Sequence, residues 1–201
     1  AIVLLNINAK PSSEPVMNKF KASILSLLLI APVSTLSADK LMIDNFDAQS
    51  RQAWAYFSDQ VMGGVSVGNV DYIDRDGESY AHMTGEVSTD NNGGFIQIRR
   101  SIAKGSVSSA TGVYLKVRGN SQQYFIHLRT SVTVLPWQYY QAGFETSGDW
   151  QIVRLPLADF KGSGSWLRKS LVPGSIRSIG VLAYGRDHSA EIDVAEIGFY
   201  N

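Results

Sequence analysis

The sequence predicts an all-β fold of the sandwich or barrel type, built from many short strands. Apolar residues alternate with other residues at a period of two, as they do in strands that have one buried face. Glycine, asparagine and serine separate the alternating runs at short intervals, which is typical of antiparallel sheets. Beyond residue 39, no segment longer than a turn or two carries apolar residues at helical spacing. These three observations favour packed sheets over any fold that needs helices.

The alternation also places the strands along the chain. Residues 113–118 and 124–129 flank a short turn of glycine, asparagine and serine at residues 119–121, and this pattern predicts a hairpin. Further strands are predicted at residues 80–87, 95–100, 141–146, 150–155, 176–184 and 191–200.

The last of these strands changes phase. Ile192 and Val194 share one face, whereas Ile197 and Phe199 continue on the opposite parity. One extra residue in a strand shifts the parity in this way, so the sequence predicts a β-bulge near Ala195.

One long stretch, residues 161–174, has no strand pattern and is rich in glycine. It is predicted to be a loop, and loops of this length often carry function. The alternative is an ordinary connection that Trp166 packs down onto the sandwich.

The N-terminal region is predicted to be a targeting segment. Residues 1–16 are interpreted as an unstructured upstream extension, with Met17 as the natural start. Residues 17–38 have the features of a cleaved signal peptide: two early lysines, an apolar core of about a dozen residues, and small residues around a cleavage bond after Ser37 or Ala38. The sequence therefore predicts an exported protein, periplasmic or secreted, with one β-sandwich domain at residues 39–201 and no membrane span after cleavage.

Composition excludes several classes of function. The 18 basic and 18 acidic side chains balance to a formal net charge of zero, so a nucleic-acid partner is not expected. The chain has no cysteine, which excludes disulfides, thiolate metal sites and thiol nucleophiles.

Two glycine pairs mark turns that are candidates for function. Residues 58–66 are Ser-Asp-Gln-Val-Met-Gly-Gly-Val-Ser, and residues 91–95 are Asn-Asn-Gly-Gly-Phe. Glycine adopts positive φ without strain, so each pair indicates either a required backbone path or a close approach by another group. The alternative is that both are only tight corners of a β domain. The candidate binding residues at these turns are Met62, Gly63, Gly64, Asn92, Gly93 and Gly94.

Several of these short motifs, taken in order, resemble the complex I intermediate-associated protein 30 family. The resemblance extends from about Phe46 to Tyr200 and implies a non-catalytic protein with a galactose-binding-like, jelly-roll β-sandwich. Mitochondrial members assist the assembly of respiratory complex I. The motifs are Ser58-Asp59 with residues 61–66, the turn at 91–95, Val117-Arg118-Gly119, Leu128-Arg129-Thr130 and residues 140–144.

Two classes of function follow from this resemblance. The first is an exported protein-interaction module with an assembly-factor or chaperone-like role. A signal peptide would place the chain across the membrane from the hydrophilic arm of complex I, so the specific client is not carried over. The second is a carbohydrate-binding module, because the same architecture hosts both functions.

Arginine and aromatic side chains supply the remaining candidate binding residues. Arg99, Arg118 and Arg129 lie on three different predicted strands, and we expect them to converge on one sheet face beside the Gly63-Gly64 turn, where they could grip carboxylates. Trp137 and Tyr139 belong to the densest aromatic cluster of the chain, and we expect this pair to be exposed while Tyr140 is structural.

No enzyme is predicted. Residues 64–68 match the G-x-S-x-G pattern of serine hydrolases, but extended sequence follows Ser66 where that site requires a helix. The three histidines are scattered without the spacing of metal ligands. No cofactor is therefore expected, apart from a weak candidate for structural calcium formed by Asp44, Asp47, Asp193 and Glu196 at the first and last strands.

Overall fold

Two antiparallel six-stranded sheets make up the part of the chain that the computed structural model describes, residues 40–201. No α-helix occurs in that part, and its only helical segments are short 3₁₀ turns. The two sheets confirm the prediction of an all-β sandwich. The predicted extension, residues 1–16, and the predicted signal peptide, residues 17–38, lie outside the described residues.

The strands are short, as the alternation predicts. They are β1 Lys40–Asp44, β2 Trp54–Ser58, β3 Val67–Arg75, β4 Glu78–Val87, β5 Phe95–Ser101, β6 Gly112–Gly119, β7 Gln123–Thr130, β8 Tyr140–Glu145, β9 Gln151–Pro156, β10 Lys161–Gly162, β11 Ile176–Tyr184 and β12 His188–Tyr200. Five 3₁₀ turns connect some of them, at Arg51–Ala53, Asp59–Met62, Asp90–Asn92, Leu157–Asp159 and Pro173–Ser175.

Each sheet has its own strand order. The first sheet runs β3-β4-β12-β6-β9, and β1 also pairs with β12. The second sheet runs β10-β8-β7-β11-β5-β2. The core lies between the sheets and is filled by the inward residues of both, such as Val113, Leu115 and Val117 of β6 and Ile126 and Leu128 of β7, all fully buried.

The predicted bulge in the last strand is present. The pairing of β12 with β6 shifts register between Val194 and Glu196, so Ala195 is the extra residue. The predicted strand at 176–184 coincides with β11, and the other predicted strands agree with the observed ones to within three residues at each end.

The predicted hairpin between residues 113–118 and 124–129 is wrong. These runs lie in β6 and β7, which belong to different sheets, and the chain crosses from one sheet to the other at residues 120–122. The backbone N–H groups at the crossing bond to other segments instead: Gly119 donates to Ser147 at 2.7 Å and Asn120 donates to Glu191 at 3.1 Å. The inward residues of β6 and β7 therefore enter the same core from opposite sheets.

The stretch 161–174 is a loop after the two residues of β10, as predicted. Trp166 does not pack it down, because this side chain is 94% exposed. The alternative interpretation of an ordinary connection held by Trp166 is therefore wrong.

The two glycine turns meet at one buried carboxylate, that of Asp59. Asp59 is fully buried and accepts hydrogen bonds from the Ser66 N–H at 3.0 Å and the Ser66 hydroxyl at 2.5 Å. It also accepts from the N–H groups of Gly94 at 2.5 Å and Phe95 at 3.2 Å. One side chain thus satisfies backbone donors on two turns that are 35 residues apart in sequence.

The glycines allow this arrangement in two different ways. Gly63 and Gly94 have φ values of +92° and +124°, which other residues adopt only with strain. A Cβ at Gly64 would lie 2.3 Å from the Asp59 carboxyl carbon, and one at Gly93 would lie 2.4 Å from a carboxylate oxygen. Both expectations for glycine pairs, a required backbone path and a close approach, therefore describe these turns.

Burial opposes ionisation of Asp59, but hydrogen bonds from Gly94, Ser66 and Phe95 outweigh it and hold its pKa below the ordinary value. Asp59→Asn should lower the free energy of unfolding by about 2–4 kcal/mol, because an amide nitrogen would face donors that the carboxylate now satisfies. Urea unfolding measures the change. Asp149→Asn, at an exposed position, is the matched control and should stay within about 0.5 kcal/mol of wild type.

The same substitution carries a pH signature. Because the folded-state pKa of Asp59 is lowered, its stabilisation is present above the unfolded pKa, about 4, and is lost as the pH falls below that value. The difference in unfolding free energy between wild type and Asp59→Asn should therefore shrink below about pH 4. A difference that stays constant down to about pH 2 would contradict the conclusion that the ionised Asp59 carboxylate stabilises the fold.

Candidate binding groove

A groove crosses the outer face of the second sheet, opposite the core. It encloses about 490 Å³. Its floor consists of the outward residues of neighbouring strands, and turns form its rims. The lining residues are Phe57, Val61, Met62, Asn92, Gly93, Phe95, Gln97, Arg99, His127, Arg129, Pro136, Trp137, Tyr139, Leu182 and Tyr184.

Strand parity explains which residues form the floor. In β5, Ile96 and Ile98 point inward and are fully buried, so Gln97 and Arg99 point outward into the groove. The registers of β5 and β7 with β11 place Arg99 and His127 opposite the same residue, Gly180. Adjacent strands therefore bring polar side chains from distant parts of the sequence together.

Connecting segments form the two rims of the groove. The Asp59–Met62 turn and the Asp90–Asn92 turn, joined by the Asp59 carboxylate, supply one side. The segment between β7 and β8 supplies the other, with Pro136, Trp137 and Tyr139. Trp137 is 64% exposed, Tyr139 is half-buried and Tyr140 is buried in the core. The expectation is met by Trp137, which is exposed, and by Tyr140, which is buried, whereas Tyr139 is only partly exposed.

Aromatic rings of the groove stack on one another. The Tyr139 ring lies parallel to the His127 ring, with centroids 3.8 Å apart and an interplanar angle of 11°. The hydroxyl groups of Tyr139 and Tyr184 are 2.9 Å apart and share a hydrogen bond. His127 Nε2 donates to the side-chain oxygen of Gln141 at 2.6 Å. Burial lowers the pKa of His127 to about 4, so the imidazole is neutral at neutral pH.

Arg129 connects the floor to the aromatic rim. Its Nη2 donates to the backbone carbonyls of Thr133 and Leu135, both at 2.9 Å. These bonds hold the segment that carries Trp137. Arg99 lies over the Phe57 ring, with its guanidinium carbon 4.4 Å from the ring centroid. Burial, and then the charge of Arg129, lower the pKa of Arg99.

A second cavity, of about 560 Å³, continues the groove along the same sheet. It shares Tyr139 and Tyr184 with the groove and extends to Lys161 and Gly162 of β10. The two cavities together cross the six strands from β2 to β10. Five interstrand steps of about 4.8 Å give a path of about 24 Å.

Seven of the predicted binding residues line the groove. They are Met62, Asn92, Gly93, Arg99, Arg129, Trp137 and Tyr139. Gly63, Gly64 and Gly94 are not lining residues but shape the turns that carry the others.

Arg118 departs from the predicted arginine cluster. It lies on β6 of the first sheet, where its Nε donates to Asp193 at 2.6 Å and its guanidinium packs over Trp150 at 4.5 Å. The expectation that three arginines share one face is therefore wrong for Arg118, whereas Arg99 and Arg129 both line the groove. The misplacement follows from the chain crossing after β6, which puts Arg118 and Arg129 on different sheets.

Sequence reasoning missed other lining residues, including Phe57, Gln97 and Tyr184. Their signal was the outward parity of each strand, which the pattern contains. Sequence alone does not show which strands are neighbours, so these residues could not be assembled into one site.

Ser66, the serine of the G-x-S-x-G match, is fully buried, and its hydroxyl group donates a hydrogen bond to the Asp59 carboxylate. It precedes β3, with no helix after it. This serine therefore belongs to the hydrogen-bond cluster around Asp59, and its position gives no support to a nucleophilic role.

The acidic residues proposed for calcium do not fit a metal site. Asp44 is buried among hydrogen-bond donors and pairs with Arg100, and Asp193 pairs with His82 and Arg118. Asp47 accepts hydrogen bonds from two backbone N–H groups, and Glu196 lies near the Lys40 ammonium group. Within residues 40–201, no group of three or more His, Cys, Asp or Glu side chains is arranged to hold a metal ion.

Solved structures with the same architecture include two carbohydrate-binding modules. A family 11 module of a cellulosomal cellulase of Clostridium thermocellum is 15% identical and superposes with a TM-score of 0.66, over 81% of this chain and 95% of that module. The family 11 module from Clostridium thermocellum in complex with a β-1,3-1,4-mixed-linked tetrasaccharide is 14% identical, with a TM-score of 0.66, over 81% of this chain and 96% of that one. At these identities the likeness shows the fold alone.

The two packed antiparallel sheets make the described part of the chain a β-sandwich with the architecture of these carbohydrate-binding modules. The family model of complex I intermediate-associated protein 30 matches residues 44–194. The chain therefore belongs to the complex I intermediate-associated protein 30 family. No curated protein matches the sequence. In the described part of the chain, no helix is long and apolar enough to cross a membrane.

The engagement of the four acidic residues leads to a prediction for calcium. Melting temperatures in millimolar calcium and in chelator should agree within ~1 °C, because a metal that does not bind the folded state cannot stabilise it by mass action. Differential scanning fluorimetry makes the comparison. A reproducible rise of several degrees in the melting temperature on adding calcium would contradict this expectation and support the calcium site predicted from the sequence.

Proposed function

We propose that this chain is an exported, non-catalytic carbohydrate-binding module that holds a glycan chain in the groove of the second sheet. The observation that carries the proposal is the groove itself, a path of about 24 Å lined by aromatic rings and by polar side chains at its floor. The predicted signal peptide would deliver the module to the periplasm or the medium, where polysaccharides are found.

The chemistry of the groove suits a sugar chain. A pyranose ring has apolar faces and polar edges, so its binding needs flat aromatic surfaces together with hydrogen-bonding groups. Trp137 and Tyr139 offer aromatic surfaces at the rim, and Gln97, Arg99 and Arg129 offer hydrogen-bonding groups at the floor. A volume of about 490 Å³ lies within the range of small-ligand sites, which are concave, whereas protein interfaces of standard size are broad surfaces.

Two further observations support the proposal. One solved structure of the same fold was determined with a bound tetrasaccharide. Glycoside hydrolysis normally needs two carboxylates beside the bond that is cut. The residues that line the groove and its continuation include one carboxylate, Asp159, so they support binding without cleavage.

A protein partner is the second candidate function. The turn residues Val61 and Met62 are 72% and 62% exposed and face the groove opposite the exposed Trp137. Exposed apolar side chains and tryptophan are typical anchors of protein interfaces. The family to which the chain belongs is named for association with complex I intermediates, which favours an assembly-factor or chaperone-like role with a client on the exported side of the membrane.

The two candidates can be separated with one variant. Trp137→Ala with Tyr139→Ala should weaken glycan binding by about 30-fold, the equivalent of about 2 kcal/mol for the loss of two aromatic contacts. Binding is measured on a panel of polysaccharides by affinity electrophoresis and calorimetry. Circular dichroism and thermal melting first establish that the variant is folded. Trp166→Ala, which removes an exposed tryptophan that is not a lining residue, is the matched control.

A cross-linked pull-down from periplasm completes the experiment. Loss of a reproducible partner in the double variant, with no sugar bound by either form, would replace the glycan proposal by the protein-interaction one. Unchanged glycan binding and an unchanged pull-down would remove Trp137 and Tyr139 from the site.

A further inference from the structure

Arg99 and Arg129 form a pair of positive charges in the groove. Each is half-buried and lines the groove, and β11 lies between their strands, with Arg99 opposite Gly180 and Arg129 opposite Ser178. Two interstrand steps of about 4.8 Å separate the strands, a distance over which the two charges repel each other. No aspartate or glutamate lies among the residues that line this part of the groove. Neither arginine has a carboxylate within 4.0 Å in residues 40–201.

Three other arginines, Arg51, Arg100 and Arg118, are neutralised by Asp74, Asp44 and Asp193. The remaining arginines of the described residues do not line the groove. The protein as a whole has equal numbers of acidic and basic residues, so an uncompensated pair is not the result of a basic composition. What distinguishes Arg99 and Arg129 is that both line one groove whose lining residues include no carboxylate.

The contacts of the pair leave that charge uncompensated. Arg129 donates through Nη2 to two neutral backbone carbonyls, and its Nε is buried without a hydrogen-bond partner in the described structure. Arg99 packs against the face of Phe57, a contact that compensates part of a cation's lost hydration. Partly desolvated like charges repel each other, and an anion between or beside them relieves that repulsion.

We propose that the arginine end of the groove binds the carboxylate of an acidic sugar, such as a uronic acid within a glycan chain. The inference rests on the proposed carbohydrate-binding function and specifies its ligand class. The guanidinium group forms paired hydrogen bonds with a carboxylate, and Trp137 at the nearby rim can cover the apolar face of the same or the next sugar ring. The far end of the groove contains both Lys161 and Asp159, so the preference for an acidic unit is located at Arg99 and Arg129.

Calorimetry with a matched set of oligosaccharides tests the ligand class. The probes are tetragalacturonate, its fully methyl-esterified form, and a neutral β-glucan tetrasaccharide. We expect tetragalacturonate to bind at least about tenfold more tightly than its ester, because esterification removes the charge that the arginines recognise while it keeps the sugar rings. Its affinity should also fall as salt is raised from about 0.05 to 0.5 M, since screening weakens charge pairing.

Substitutions locate the effect. Arg99→Gln should reduce the affinity for tetragalacturonate by about 10–100-fold and bring it close to that of the ester, and Arg99→Lys should restore part of the loss. Arg129→Gln is a second variant, read only after its fold has been checked, because Arg129 also holds the rim. Arg154→Gln, at an exposed position on the first sheet, removes the same charge away from the groove and should change nothing.

The outcomes separate this inference from the function on which it rests. Equal or tighter binding of the ester or the neutral glucan would overturn the acidic-sugar inference and leave the carbohydrate-binding proposal standing. Binding of an acidic peptide but of no sugar would overturn both. A loss of tetragalacturonate binding in Arg154→Gln as large as that in Arg99→Gln would show attraction by overall charge and would also overturn the inference.

Discussion

The buried carboxylate of Asp59 is the contact on which the shape of the groove depends. It lies at the start of the turn after β2 and accepts hydrogen bonds from Ser66 and from the backbone of Gly94 and Phe95. A buried negative charge is costly unless donors surround it, so the two turns must stay closed around it. The glycines at 64 and 93 are required because any side chain there would collide with the carboxylate. The rim that contains Met62 and Asn92 is therefore fixed by a polar interaction in its interior.

The fold could be predicted from the sequence because each strand carries its own signal. Alternation located eight of the twelve strands, β4 to β9, β11 and β12, and the change of parity located the bulge at Ala195. Strand pairing could not be predicted in the same way. Residues 113–118 and 124–129 have one buried face each, and that pattern is the same whether two strands pair within one sheet or belong to the two sheets of a sandwich. The structure shows the second arrangement, and the short turn between them is a crossing between the sheets.

The candidate site could be predicted only in part, and the reason is physical. Turn residues and clustered aromatic residues can be recognised from the local sequence. Met62, Asn92, Gly93, Trp137 and Tyr139 could therefore be predicted as candidate site residues. The floor is different, because it exists only where β2, β5, β11 and β7 become neighbours. Arg118 shows what the local sequence cannot predict. Like Arg129, it follows a run of alternating apolar residues, but it lies on the other sheet and pairs with Asp193. Arg99 and Arg129 become one feature only when β11 lies between their strands.

The two rims are fixed to the sheet by opposite charges. The Asp59 carboxylate closes the glycine turns on one side, and the Arg129 guanidinium binds the carbonyls of Thr133 and Leu135 on the other. Both are contacts to backbone atoms, which constrain the path of a loop more than contacts to flexible side chains do. Because these contacts are made within the protein, the proposed glycan binding would require little ordering of the groove. The side chains at the floor, including the arginine pair, would then be available to select the glycan.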